Sequence, residues 1–317
     1  MNKIFAARWL NDKQVVFGTK CNQLVVLDVQ TGQLTMIPSL QSSDESFPAS
    51  QPCGIHAISI NPSGTLLATG ASHTNDIGIY RLPTFDPFCV GECGHSDWIF
   101  DMEWIDDEFL VTGSRDSHIA LWRIDNVDES RTSRMSCLYV PEYAIKKPLF
   151  SRPCEKATKV RALCVNRCRK IWSSRLTCAR ENVCMAVSEE KNLYAIGSHS
   201  FVTLLDSRKK TLQPIPAKNR DRGLFQGTEQ AGTGVGLVMF YDLRAQKYLE
   251  SPCGHPCQLP VGQGWLRHDE NYRDIFFDTE YPNAIYTHCY DDMGVRLFTA
   301  GGPLPAGLWG NYAALWA

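Results

Sequence analysis

Short runs of Val, Ile, Leu, Thr and aromatic residues alternate with polar or small ones along this chain, and Gly, Pro, Asn and Asp cut them apart. Near the start FAARWL, QVVFGT and QLVVLDV read as three consecutive strands. IHAISI, TLLATG and DIGIYRL repeat the arrangement, with NPSG as the turn between the first two. A period of two, broken at every turn, buries one face of a strand and leaves little room for helix. The pattern predicts an all-β chain.

The strands recur in units. VVLD, IGIY, IALW, TLLD, MFYD and AALW each close one, and Leu27, Tyr80, Trp122, Leu205, Tyr241 and Trp316 are the equivalent positions. The intervals between them are 53, 42, 83, 36 and 75 residues. A propeller blade of the WD type takes about 40–45 residues, so the longest interval corresponds to roughly two blades. KVRALCV (159–165) reads as the first strand of the blade that closes without a recognisable third strand. The expectation is one domain over 1–317, a WD40-type β-propeller on a seven-bladed plan. Blades four and six are incomplete, with damage at 166–182 and 209–231, where CRKIWSSRLTCAR and DRGLFQGTEQAG carry no strand pattern. The first blade begins at about Phe5, which leaves no room for a preceding outer strand and predicts an open edge where the ring closes.

Residues 94–122 carry the fullest unit, GHSDWIFDMEWIDDEFLVTGSRDSHIALW. In such blades a His, a Ser or Thr, an Asp and a Trp join through a buried hydrogen-bond relay. The candidates are His95, Ser114, Asp116 and Trp122. A relay of this kind stabilises only when each member has a partner.

Bulk properties exclude more than they assign. A net charge of −2 over 317 residues gives no global nucleic-acid or membrane signal, and no apolar run is long enough to span a bilayer. The start lacks a secretory h-region. Thirteen scattered cysteines therefore read as reduced thiols of the cytosol or nucleus. Cys253 and Cys257 around His255 lack the second close pair that zinc requires, so no metal and no other cofactor is expected. AGTGVGL (231–237) mimics a phosphate loop but is followed by a strand where a helix is needed. No G-x-S-x-G elbow or other catalytic constellation occurs, so the chain reads as a binding protein and not an enzyme.

The balanced net charge conceals a basic block. Lys146 to Arg180 contains eleven Lys or Arg and a single acid, Glu155. Lys159 and Arg161 stand two apart on a predicted strand and so share a side. The ends of the second strands read GTK (18–20), GAS (70–72), GSR (113–115) and GSH (197–199), which puts Lys20, Arg115 and His199 at one blade position, and His56 opens the first strand of blade two. In antiparallel blades these positions fall on one rim. Lys20, His56, Arg115, Lys159 and Arg161 are the candidate anion-binding funnel.

QVVFGTKCNQLVVLDVQTGQ, CGIHAISINPSGTLLATG, GHSDWIFDMEW, YTHCYD and TAGGPLPAGLWGNYAALW, loops included, closely resemble the DDB- and cullin-associated factor twelve family of WD-repeat substrate receptors. The resemblance implies the substrate-recognition subunit of a cullin-4 RING ubiquitin ligase, with the adaptor DDB-one and proteins ending in an acidic Glu-Glu degron as partners. It assigns the degron pocket to Lys20, His56, Arg115, Lys159 and Arg161. It assigns adaptor docking to the Asp-x-Arg ends Asp206 with Arg208 and Asp242 with Arg244. The chain departs from the family at its N-terminus, where a helical docking segment has no counterpart, and in blades four and six. The alternative is a WD-repeat scaffold with no link to a ligase.

Overall fold

The computed structural model describes residues 2–40, 54–71, 73, 75–92, 94–125, 167–175, 182–188, 193–198, 201–206, 211–216, 230–232, 236–242, 247–255, 257–260, 264–277, 281–305 and 307–317, with the backbone alone through 182–232 and 241–248. Among them the chain forms six antiparallel sheets; the last, first, second, third and fourth touch one another in turn and the fifth touches the last, the arrangement of a β-propeller.

The first sheet is β1 (Ile4–Trp9), β2 (Gln14–Thr19), β3 (Leu24–Asp28) and β4 (Leu34–Ile37). The second is β5 (Ile58–Ile60), β6 (Leu66–Gly70), β7 (Ile77–Arg81) and β8 (Asp86–Gly91). The third is β9 (Ile99–Trp104), β10 (Phe109–Ser114), β11 (His118–Asp125) and β12 (Arg167–Arg175). Then come β13 (Asn182–Ser188), β14 (Leu193–Ser198), β15 (Phe201–Asp206) and β16 (Thr211–Pro216), followed by a sheet of β17 (Gln230–Gly232), β18 (Leu237–Asp242), β19 (Lys247–Tyr248) and β20 (Gln258–Pro260). The last combines β21 (Trp265–Leu266) with β22 (Asn283–Tyr290), β23 (Leu297–Pro303) and β24 (Gly310–Trp316). One short helix, α1 (Glu270–Asp274), is capped by the Asp269 carboxylate accepting from Tyr272 N–H.

Local chemistry explains the repeated hairpins. The turn between first and second strands is built around one Asx side chain in four sheets. Asn11 accepts from Lys13 and Gln14, Asn61 from Thr65 and Leu66, Asp106 from Glu108 and Phe109, and Asp291 from Val295 and Arg296. Each side chain satisfies two backbone donors at the tip, which is why Asn and Asp punctuate the strands.

The core lies between sheets. Trp122, Met102 and Trp104 of the third pack with Ile77, Ile79 and Phe88 of the second. Two tryptophans stitch neighbouring inner strands. Trp104 Nε1 donates to the Ser59 carbonyl at 3.2 Å, and Trp9 Nε1 donates to the Cys289 carbonyl at 3.1 Å. The second stitch ties the first sheet to the last by the same contact that joins sheets two and three.

The structure corrects several expectations. Residues 167–175, expected to be damaged, form the outer strand of the third sheet, pairing β11 from His118↔Arg175 to Asp125↔Arg167. The 83-residue interval is therefore opened by 126–166, lying between the third and fourth strands of that sheet. Within 209–231, Thr211–Pro216 and the start of β17 are strands. Gly91 explains why β12 fits: a β-carbon there would meet Cys168 Sγ at 2.8 Å and Trp122 Cζ3 at 2.8 Å. At the closure, β24 gains its outer partner from residues ahead of its own sheet, Trp265↔Asn311 and Leu266↔Gly310. The pattern missed β21 because two residues leave no period to read.

Candidate functional site

Four inner strands carry the same irregularity near their start. Phe5 is skipped between the pairs Ile4↔Thr19 and Ala6↔Gly18. Phe100 is skipped between Ile99↔Ser114 and Asp101↔Gly113, Tyr286 between Ile285↔Gly301 and Thr287↔Ala300, and Val183 between Asn182↔Ser198 and Cys184↔Gly197. Each skip is a β-bulge, which frees one side chain from the ladder and re-aims it. His56 precedes β5 at the corresponding point.

These bulge residues meet as rings. His56 stacks on Phe5 at 4.3 Å and 12° and on Trp98 at 5.8 Å and 18°. Phe100 meets His56 edge-on at 4.8 Å, and Tyr286 meets Phe5 edge-on at 5.3 Å. Burial pushes the Tyr286 hydroxyl pKa up. The result is an arc across the last, first, second and third sheets, each ring half-buried.

Basic groups sit level with Trp98 and one to two residues above the bulge residues Phe5 and Phe100. Arg115 N–H donates to the Trp98 carbonyl at 2.9 Å, and its guanidinium lies 5.5 Å from the centre of the Trp98 ring. Asp97 stands 3.9 Å from it, with both side chains about two-fifths exposed, a pairing that solvent largely screens. Lys20 N–H donates to the Lys3 carbonyl at 2.8 Å. The Gly54 backbone, at φ +80°, presses on Lys20 so closely that a β-carbon would meet Lys20 Cα at 2.7 Å. This contact and the Ile55-to-Thr19 hydrogen bond bring the segment carrying His56 against the end of β2. Lys20, His56 and Arg115 thus occupy one rim. Lys159 and Arg161 lie outside the described residues. The sequence missed Phe5, Trp98, Phe100 and Tyr286, because single aromatics on core-patterned strands look like core until the bulges are seen.

Three residues deeper the lining turns polar. Arg8 pairs with Glu103 at 3.6 Å, and Ser59 donates to Glu103 at 3.2 Å. Burial raises the Glu103 pKa, against the opposing pull of Arg8 and Ser59.

On the third sheet a relay runs through the interior. Trp122 Nε1 donates to Thr112 Oγ1 at 2.9 Å, Thr112 meets His95 Nε2 at 2.6 Å, and His95 Nδ1 meets Asp116 at 3.2 Å. The Thr112 hydroxyl accepts from the indole and turns its own proton to Nε2, so Nδ1 carries the ring proton towards Asp116. Ser114, the expected hydroxyl, is outside the chain of contacts. It donates to the Asp97 carbonyl at 3.0 Å and accepts from Asp116 N–H at 3.2 Å, bracing the turn. The Ser-Arg-Asp turn drew attention to Ser114, but the register puts Thr112, two residues earlier, beside Trp122. For Asp116, burial raises the carboxyl pKa, yet donors from His95, Ser96 and His118 outweigh it and hold the group well below the usual range. Gly94 must be glycine, because a β-carbon there would collide with the Trp122 indole.

Asp206 and Asp242 end β15 and β18. Asp206 pairs with Leu193 at the start of β14, the rim opposite the second-strand ends. Arg208 and Arg244 lie outside the described residues.

Stacked four-stranded sheets, a Trp-centred relay and a lined inner face define a β-propeller of the WD-repeat class. The model of the DDB1- and CUL4-associated factor 12 beta propeller matches residues 1–170 and 162–317, and the chain belongs to that family. A curated relative is Pre-mRNA-processing factor 19 of Oryza sativa subsp. japonica, 24% identical over 203 residues, covering 64% of this chain and 32% of that protein's own length. Among solved structures, one described as the structure of U3-55K superposes with a TM-score of 0.53 at 11% identity, covering 99% of this chain and 96% of the other, a likeness of fold.

Proposed function

We propose that this chain is the substrate-recognition subunit of a cullin-4 RING ubiquitin ligase and binds acidic, Glu-Glu-type C-termini at the basic rim. The observation that carries the reading is the family match over both halves of the chain. The rim chemistry agrees with it. A Glu-Glu terminus ends in three carboxylates, and charge-assisted hydrogen bonds are about twice as strong as neutral ones. Lys20, His56 and Arg115 form the described part of the pocket, and Lys159 and Arg161 complete it. A seven-bladed ring belongs to the same reading, with the run 159–165, which is strand-like in sequence, as part of a further blade. The protein acts by holding a substrate and not by catalysis, in the cytosol and nucleus. Docking on the adaptor uses Asp206, Arg208, Asp242 and Arg244 on the opposite rim.

Fluorescence polarisation with peptides ending Glu-Glu and Glu-Glu-amide tests the pocket. Arg115→Ala is expected to weaken the free-acid peptide more than tenfold, since removing one partner of a desolvated charge pair costs about 2–5 kcal/mol. Equal binding of acid and amide would refute the pocket. Reversing the charges of Arg208 and Arg244 together is expected to abolish adaptor capture and leave peptide binding intact. A wild-type chain that binds these peptides but not the adaptor is a scaffold without ligase coupling.

A further inference from the structure

The basic rim accounts for the charges of an acidic tail but leaves the ring arc beneath it without a role. We propose that the bulge residues Phe5, Phe100 and Tyr286, beneath His56 and Trp98, form an apolar collar that takes the methylenes of the last acidic side chain and selects Glu over Asp at the chain end. The inference rests on the reading of the rim as an acidic-tail site.

Depth is the first argument. Arg115 is level with Trp98, and Lys20 with Lys3, so the bulge residues lie one to two residues further in. At about 3.3 Å per residue that is roughly 3–7 Å. Two extended peptide residues span about 7 Å. A tail whose penultimate acid is held at the rim therefore puts its last side chain at the collar.

Geometry is the second. Phe5, His56 and Trp98 stack nearly parallel with faces turned to one another, and Phe100 and Tyr286 stand edge-on to them, so the rings form one aromatic cluster. Aromatic edges carry the positive side of the ring quadrupole. They pack against aliphatic methylenes and tolerate a nearby carboxylate, which an aliphatic wall would not. The bulges themselves are the third argument. A bulge interrupts the ladder, and here three of the four on inner strands fall at an aromatic residue on one level.

The floor then sets the stopping point. Arg8 is already paired with Glu103, whose second contact is Ser59. A carboxylate pushed below the collar would meet the Glu103 charge, so the terminal residue rests among the rings.

The experiment titrates the full chain with three peptides of one body, ending Glu-Glu, Glu-Asp and Gln-Gln. Wild type is expected to bind Glu-Glu about fourfold more tightly than Glu-Asp, the factor carried by one buried methylene. Phe100→Ala is expected to weaken Glu-Glu several-fold and bring the ratio close to one, while Phe100→Leu, which keeps apolar bulk, holds it above twofold. Circular-dichroism melts check folding. If Phe100→Ala does not fold, Tyr286→Ala on β22 makes the same test. A wild-type ratio of one, or an unchanged ratio in the folded alanine variant, overturns the collar while leaving the acidic-tail reading intact. Gln-Gln binding as well as Glu-Glu overturns that reading and the collar with it.

Discussion

Two threonines at the same blade position show how much a hydroxyl depends on its neighbours. Thr112 links Trp122 to His95, and all three are buried. In the second sheet Thr69 takes the equivalent place, but Tyr80 replaces the tryptophan and donates instead to the Pro38 carbonyl at 2.9 Å. The Thr69 hydroxyl is left buried with no partner among the described residues. Thr112→Val is therefore expected to cost about 2–4 kcal/mol, since it strands both an indole N–H and an imidazole nitrogen. Thr69→Val is expected to be neutral or stabilising, because it removes a buried unpaired group. Urea melts of the two variants check both, and a similar loss in each would refute the assignment. Asp116 adds a pH test. Its carboxyl titrates lower in the folded protein than in the unfolded chain, so its stabilisation is complete above about pH 4 and fades as pH falls towards the folded value. The stability gap between wild type and Asp116→Asn is expected to narrow below pH 4 and stay constant from pH 5 to 7.

Among the elements, inner strands carry most of the information. They place the tryptophan stitches, the bulges and many of the buried apolar rows, whereas the outer strand β4 is exposed: its Leu34 and Met36 are 50% and 60% accessible. Trp9→Phe and Trp104→Phe each remove one indole donor from an otherwise similar packing. Each is expected to cost about 1–2 kcal/mol, slightly above an ordinary hydrogen bond because a partly buried carbonyl loses its partner. A thermal melt in which Trp9→Phe costs nothing while Trp104→Phe costs this much would mean that the closing contact differs from the ordinary one. The last sheet repeats the relay's core, with Trp316 Nε1 donating to Thr299 Oγ1 at 2.9 Å.

For the whole molecule, closure also runs through Lys3. Its side chain is 1% exposed and donates to the Pro305 carbonyl at 2.6 Å. Burial, then the nearby charge of Lys20, lowers its pKa to about 8. The unfolded chain binds this proton up to the ordinary lysine range, near 10.4, so folding gains stability as pH rises through that window. Relative to Lys3→Met, wild type is expected to gain about 1–2 kcal/mol between pH 8 and 10. Denaturant titrations at the two pH values check it, and parallel behaviour would show that Lys3 keeps an ordinary lysine pKa in the folded protein. The rim makes a further prediction at this scale: peptide affinity falls moderately with added salt, because exposed Arg115 and its neighbours are screened over about 8–10 Å.

Val-, Ile- and Thr-rich runs with Asx turns were enough to specify an all-β chain and to locate the strands of the first three blades, since period and turn chemistry are local properties. The rim positions Lys20, His56 and Arg115 were also legible, because antiparallel pairing puts second-strand ends and first-strand starts together wherever the blade repeats. The strand at 167–175 was not legible: its place depends on the exposed edge of β11 and on the space left by Gly91, neither of which has a local signature. The same holds for Thr112 in place of Ser114, where register and not spacing chose the hydroxyl. The aromatic collar needed the bulges, and a bulge exists only once two strands have paired. Local patterning thus determined which elements form and which rim carries charge; packing between strands far apart in the chain decided which side chains meet.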